Sequence, residues 1–279
     1  ANGNIDEVIV VISDRHKKDT VGRTVSSILR RDFGYLPQAA PTFDLVSLSP
    51  DKFGQTFKKH FNVLFIGHLE ETGNSLDYFR EFFGAERMDE IRKGRKTVYI
   101  KAPDVWSKGQ HVHCILAPTL NALSRDLPEK LELFTQNVQV SEFKRIQDFV
   151  YMGYGKNDEI NAKIKKQLGI RLDIPGDFKL HPSSKDDFFF LRKSTVDLTN
   201  SIFIYAVPYT DSSMVDFSYP TEVRNHLGRR YESSTIEGSY MEIDTVYSDV
   251  GQREVDFNGH YAIESRGLWS LVNEFMGGA

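Results

Sequence analysis

The chain has 279 residues, 40% hydrophobic and 27% charged, with a net charge of −4. That length exceeds the usual single domain, so two domains are expected, each of ordinary globular composition and able to bury a core. Scattered Lys and Arg leave no basic footprint for nucleic acid, and no apolar run approaches the ~20 residues that cross a bilayer.

Cys114 is the single cysteine, so no internal disulfide forms, and its apolar run Val112 to Leu116 reads as a buried, inert thiol. Ala1-Asn2-Gly3-Asn4 is not a signal peptide.

In chain order, Val8 to Ile12 reads as a buried strand. Asp19-Thr20 caps a helix whose apolar positions are Val21, Val25, Ile28 and Leu29, ended by Gly34. Phe43 to Leu48 is a second strand. Ser49-Pro50 has the form of an N-cap with proline at the first helical position, predicting a helix through Phe53, Phe57 and Phe61. Val63 to Ile66 is a third strand, and Leu76 to Ile91 a helix closed by Gly94. Thr97 to Lys101 and His111 to Leu116 are two more strands. A helix from Leu120 to Leu133 follows, kinked or broken at Pro128, and a further helix runs from Ser141 to about Val150. Strands alternating with helices predict an α/β or α+β layer.

Asn157-Asp158 starts a helix with Ile160, Ile164 and Leu168 on one face and Gly169 as its stop. Beyond it the texture turns β-rich and aromatic, with segments Ile170 to Ile174 and Phe188 to Leu191 and one clear helix, Pro220 to Tyr231. A boundary near Met152 to Asn157 gives an α/β domain over residues 1–152 and a β-rich α+β domain over 157–279: two consecutive sheet-and-helix layers. Ile202 to Trp269 reads as successive strands of one sheet. Ile202, Phe203 and Ile204 run without alternation, which predicts a central strand covered on both faces. At Asn258-Gly259 a two-residue turn would set Phe257 opposite His260. A three-residue loop instead pairs Phe257 with Tyr261 and Val255 with Ile263, and is favoured because it aligns apolar positions.

Three groups of residues carry possible chemistry. His111 and His113 alternate on a strand and share a face, the best candidates for a metal. They need further ligands, for which His68 and Cys114 are available, although Cys114 points to the opposite face. Asp14, His16 and His68, with Glu70 and Glu71 behind, form polar loops at the ends of apolar strands. Ligands bind at such ends in parallel sheets, and a His with carboxylates there can do acid–base work. Tyr205, Tyr209 and Asp211 offer a polar aromatic rim for a ligand. Ordinary strand histidines and a polar loop capping a strand are the simpler readings of the first two groups. Gly153-Tyr154-Gly155-Lys156 lacks Walker spacing and reads as a hinge, with Lys163, Lys165 and Lys166 on a solvated face. No catalytic motif emerges, and no cofactor is expected.

A family resemblance rests on segments that recur in order. They are Ile174 to Leu180, Asp187 to Arg192, Ile202 to Tyr205 with Pro208 to Asp211, Glu237 to Met241, Asn258 to Ala262, Arg266 to Trp269, and Phe275 to Gly278. Together they resemble the Bacteroidota lipoprotein family of domain of unknown function 4837, and Leu36-Pro37-Gln38 and Phe43-Asp44 to Leu64 extend the likeness over nearly the whole chain. The resemblance implies a lipid anchor upstream of Ala1, an outer-membrane location facing the periplasm, and no catalytic residues. It also implies a further strand and helix past Gly277-Gly278, which would leave the Trp269 strand at an open sheet edge. The β-rich half is similar in pattern to oxygen-evolving-complex accessory protein folds. The expected function is a non-catalytic, lipid-anchored accessory subunit or adaptor of an outer-membrane protein complex. A small-ligand or glycan binding module, and a hydrolase or metal enzyme at the strand ends, are the alternatives.

Overall fold

The structure, a computed structural model, describes residues 1–72, 74–185, 187–196, 198–247 and 249–279. It divides into two units, residues 1–33 with 40–146, and residues 34–39 with 147–279. Among the described residues no helix is long and apolar enough to cross a membrane.

In the first unit β1 (Glu7–Val11) leads into a short helix, α1 (Asp14–Lys17), and then α2 (Thr20–Leu29). The Asp19 carboxylate caps α2 by accepting from Val21 N and Gly22 N, as expected of it. β2 (Asp44–Leu48), β3 (Asn62–His68), α3 (Asn74–Gly94), β4 (Val98–Pro103), β5 (His111–Ala117) and α4 (Leu120–Tyr154) follow. The strands form a mixed sheet in the order β2-β1-β3-β5-β4, parallel except for β4. Val8, Val10, Leu64, Ile66 and Ile115 face α2 and α4, packing on Val21, Val25, Leu123, Leu127 and Phe134. Ile9, Val11, Val63, Phe65 and Val112 face α3, packing on Phe79, Met88 and Ile91. Cover on both faces is why these strands read as unbroken apolar runs.

Helices in this unit depart from expectation in three places. Ser49-Pro50 starts no α-helix: Pro50–Lys52 and Phe57–Lys59 are separate 3-10 turns, and the Ser49 hydroxyl makes no cap bond. Phe53 and Phe57 still reach the α3-side core, so the helical spacing of the phenylalanines came from packing, not from a helix. α3 is interrupted at Gly84, whose φ of 71° and ψ of 162° are not helical. α4 is one helix from Leu120 to Tyr154, with Pro128 inside it. The backbone bond lost at Pro128 is offset by a buried stripe, Leu123, Leu127, Leu131, Phe134 and Val138, that packs on either side of it.

The second unit opens with α5 (Asp158–Leu168), capped by the Asn157 side chain and stopped at Gly169, as the sequence indicates. The segment Ile170 to Ile174, expected to be β, is irregular. Its Ile174 side chain enters the core while its carbonyl accepts from Asn157 N at 2.8 Å. β6 (Lys179–Leu180), β7 (Phe188–Ser194) and β8 (Thr199–Tyr205) form a sheet in the order β6-β7-β8. The central strand is therefore β7. Phe189 and Leu191 pack over Ile160 and Ile164 of α5, while Phe188 and Phe190 pack on Leu227 of α6 (Ser218–Tyr231). The expectation that Ile202, Phe203 and Ile204 are buried in a central strand is wrong: β8 lies at an edge and all three are half-buried.

The stretch to Trp269 is likewise more than one sheet. β9 (Met241–Asp244), β12 (Leu268–Leu271) and β13 (Gly277–Gly278) make one in the order β13-β12-β9. β10 (Gly251–Phe257) and β11 (His260–Arg266) form a separate hairpin. Its register is the shorter one, with Phe257 opposite His260 and Val255 opposite Ala262. Asn258 (φ 55°) and Gly259 (φ 82°) take the positive angles of a two-residue turn. Phe257 and Tyr261 remain exposed, so no buried face overrules the turn. The Trp269 strand is not open-edged. Trp269 pairs with Ile243 on one side and Gly278 on the other. A Cβ on Gly278 would lie 2.8 Å from Trp269 Nε1, so glycine is what lets this last strand approach.

With β7 central, Phe190→Ala is expected to cost ~3–5 kcal/mol. Ile204→Ala, on the half-buried edge, should cost less than half of that. Urea denaturation of both variants checks this, and equal midpoint shifts would contradict the central place of β7.

Candidate functional site

β1 and β3 are parallel neighbours, and the chain leaves β1 for β2 on one side before returning as β3 on the other. Their carboxyl ends flank the topological switch point, where open α/β sheets bind ligands. α1 lies just past the end of β1 and carries His16, which is 1% exposed. His68 is the last residue of β3 and is 5% exposed.

The two rings meet, with His16 Nε2 3.0 Å from His68 Nε2. Glu71, its side chain 7% exposed, closes the triangle: Oε1 is 3.7 Å from His16 Nε2 and 3.8 Å from His68 Nε2. Behind His16, Nδ1 lies 2.6 Å from Asp19 Oδ2, while Asp19 Oδ1 accepts from Val21 N at 2.8 Å. Behind His68, Nδ1 lies 3.8 Å from Glu70 Oε2, which also accepts from Leu120 N at 3.0 Å. Among the described residues, this trio is the one with the spacing of a metal-ligand set.

Two close approaches hold the loops in place. A Cβ on Gly22 would lie 2.5 Å from the His16 carbonyl oxygen, so only glycine lets the first turn of α2 press on α1. A Cβ on Gly67 would lie 2.6 Å from the Phe79 ring and 3.1 Å from Glu71 Oε1.

The electrostatics follow from this packing. Burial, and then the neighbouring His16, hold His68 below the ordinary imidazole range. Burial pushes Asp19 up, but hydrogen bonds from His16 and Val21 N outweigh it and leave the carboxyl below its usual value. An ionised Asp19 only accepts, so His16 carries its proton on Nδ1 and turns the Nε2 lone pair inward. His68 then has two options. A proton on Nε2 bonds His16 but leaves Nδ1 buried, partnerless and facing the Glu70 carboxylate. A proton on Nδ1 faces Glu70 but leaves two nitrogen lone pairs and the Glu71 oxygen converging on one point.

The sequence-derived candidates fall out unevenly. His16 and His68 come together, but Asp14 does not join them; it is exposed and pairs with Lys17 at 2.6 Å. Asp19 takes its place, and Glu71, already indicated after His68, completes the trio. Each stands three residues after its histidine, and that repeated His-x-x-acid spacing behind an apolar strand is the signal that was present. His111 and His113 share a face, with ring centroids 6.4 Å apart. His113 Nδ1 is 2.7 Å from the Tyr99 hydroxyl and its ring meets Phe134 of α4 edge-on, while His68 is committed to His16. Cys114 is buried on the α3 side. Tyr205 packs against Phe188, Tyr209 is exposed, and Asp211 caps the turn Ser212–Val215 by accepting from Ser213 N. Lys156 pairs with Asp173 at 2.8 Å.

Comparison with known families divides the chain. Residues 1–151 match the family described as Domain of unknown function (DUF8532), and residues 157–279 match Domain of unknown function (DUF4837). The chain belongs to the DUF8532 family, and its second half carries a DUF4837 region. The DUF4837 likeness expected over nearly the whole chain thus holds for the second half, and the first half carries a family of its own, DUF8532. The strand-end cluster lies within the DUF8532 region. No curated protein and no solved structure matches the chain.

His113 gives a pH prediction. Burial first, then Lys101 and His111, lower its pKa from 6.5 to about 3. Between those values the unfolded chain binds a proton that the folded chain does not, so stability falls as pH drops from about 6.5 toward 3, by at most ~1.4 kcal/mol per pH unit. His113→Phe is expected to flatten that limb. Urea midpoints across the acid range measure it, and an unchanged slope would assign the acid sensitivity to other groups.

Proposed function

We propose that this protein is a non-catalytic accessory subunit or adaptor of an outer-membrane protein complex, held at the periplasmic face by a lipid anchor upstream of Ala1. The observation that carries the reading is the β6-β7-β8 edge. Among the described residues β8 pairs with β7 alone, so Thr199–Tyr205 offers a strand's length of backbone to a partner. The β10–β11 hairpin adds exposed Phe257 and Tyr261. Closure of the strand-end cluster favours a non-catalytic role over the hydrolase reading, because a substrate would have to reach rings only 1% and 5% exposed.

A small-ligand or glycan role has one observation behind it. A cavity of about 330 Å³ in the second unit is lined by Phe203, Met241, Trp269 and Leu271, with Arg192 and Glu232 among its polar groups. An aromatic floor with a few polar groups suits a sugar or a small amphipathic molecule. Trp269 fluorescence during ligand titration would report such binding.

The accessory-subunit reading is tested by purifying the tagged protein from its native membrane. It should co-purify in fixed stoichiometry with an outer-membrane barrel protein, and a photo-cross-linker at Thr199 should join that same protein while one at Lys163 does not. Isolation as a lone chain, with no adduct at Thr199, would overturn it.

A further inference from the structure

We propose that the cluster at the ends of β1 and β3 is a closed site for one zinc-class divalent ion, ligated by His16 Nε2, His68 Nε2 and Glu71 Oε1. The three donors form a triangle with sides of 3.0, 3.7 and 3.8 Å. The point equidistant from the corners of such a triangle lies about 2 Å from each, the length of a zinc bond to imidazole nitrogen or carboxylate oxygen.

An independent observation points the same way. His68 Nδ1 is buried with no hydrogen-bond partner when Nε2 bonds to His16, and it faces the carboxylate of Glu70. A buried imidazole nitrogen left in that position is costly. An ion on the Nε2 side lessens the cost, because a proton on Nδ1 then faces the Glu70 carboxylate at 3.8 Å, too long for a hydrogen bond but close enough for charge attraction. His68 then carries its proton on Nδ1, directed at Glu70, and both Nε2 lone pairs are used. Asp19 already does the same for His16 at 2.6 Å. Each imidazole so acquires a carboxylate behind it, the arrangement that orients histidine ligands around zinc.

The donor set selects the ion. Two imidazoles and one carboxylate suit Zn²⁺, Co²⁺, Ni²⁺ or Cu²⁺, whereas Mg²⁺ and Ca²⁺ prefer all-oxygen cages. The acidic groups Asp19, Glu70 and Glu71 outnumber Arg15, the cationic side chain that acts on His68. Because the ligand side chains are nearly shut from solvent, the ion would tie the loop after β1 to the loop after β3 rather than receive a substrate. The ion is independent of the accessory-subunit reading, and either can fail without the other.

The test uses the full chain, stripped with a chelator and then titrated. One equivalent of Zn²⁺ should bind and raise the melting temperature. Co²⁺ should give the visible absorption of a four-coordinate N/O site, with a water completing the three protein donors, and Mg²⁺ and Ca²⁺ should do neither. Glu71→Gln and His16→Gln should abolish stoichiometric uptake while far-UV circular dichroism stays native, and His111→Gln should bind as the wild type does. Asp19→Asn, a change at a positioning residue, should weaken binding by about 10–100-fold. Wild-type protein that takes up no Zn²⁺, or uptake that survives both Glu71→Gln and His16→Gln, would overturn the proposal.

Discussion

Burial of β1, β3 and β5 on both faces is the constraint from which the first unit follows. A strand with helices above and below has no solvated face along its length, so polar side chains collect where strands begin and stop. β3 shows this most plainly. Asn62 and His68 stand at its first and last positions, and the residues between them are Val63, Leu64, Phe65, Ile66 and Gly67. Asn62 is met by the buried Glu142 at 2.7 Å, and His68 is met by His16. The order β2-β1-β3-β5-β4 decides the rest, because it sets the loops after β1 and β3 on either side of the switch point. The site is a consequence of how the sheet is wound.

Much of that unit is legible in the sequence, because its signals are local. Apolar runs mark β1, β2, β3 and β5, and the cap at Asp19 works as short-range hydrogen bonding demands. The cluster is half legible. Strand ends followed by histidines identify His16 and His68, with Glu70 and Glu71 beside the latter, but not Asp19 as the acid that serves His16. Asp14, two residues before His16, sits on the exposed side of α1 with Lys17, and the acid that reaches His16 comes from the cap of the next helix. Side-chain direction within a tight turn is fixed by packing such as that at Gly22, which a one-dimensional pattern does not carry.

The second unit is less legible for a different reason. β7 and β8 are both apolar runs, and what separates a central strand from an edge is which elements lie on either side. β7 has β6 and β8 beside it, with α5 and α6 on its two faces; among the described residues β8 has β7 alone. The hairpin shows the opposite case. A buried face would align Phe257 with Tyr261, but both residues are exposed, so the local chemistry of Asn258-Gly259 sets the register. Trp269 gives a third case. Its cover comes from Gly277 and Gly278, residues whose contribution is the absence of a side chain. Hydrophobic pattern registers what is buried and says little about what makes room.

The two histidine pairs of the first unit show why residue type alone does not mark a site. His111 and His113 lie within the sheet, and His16 and His68 lie at its end, yet three of the four are almost fully buried. Their surroundings differ in sign. His113 faces a neutral tyrosine hydroxyl and has Lys101 directly across the strand pair, so a cation there would add to an existing positive charge in a poorly solvated place. His16 and His68 are backed by Asp19, Glu70 and Glu71. Carboxylates gathered around two imidazoles in a dry crevice repel one another and gain from any positive charge placed between them, whether a proton or a metal ion. A single proton shared by His16 and His68 serves the two nitrogens but does not reach the Glu71 oxygen, which lies 3.7 Å from His16 Nε2 and accepts from His68 N at 3.4 Å. A divalent ion at the centre engages all three. That difference in reach, set by the triangle's dimensions, is what favours the metal over the proton as the group this crevice is built to hold.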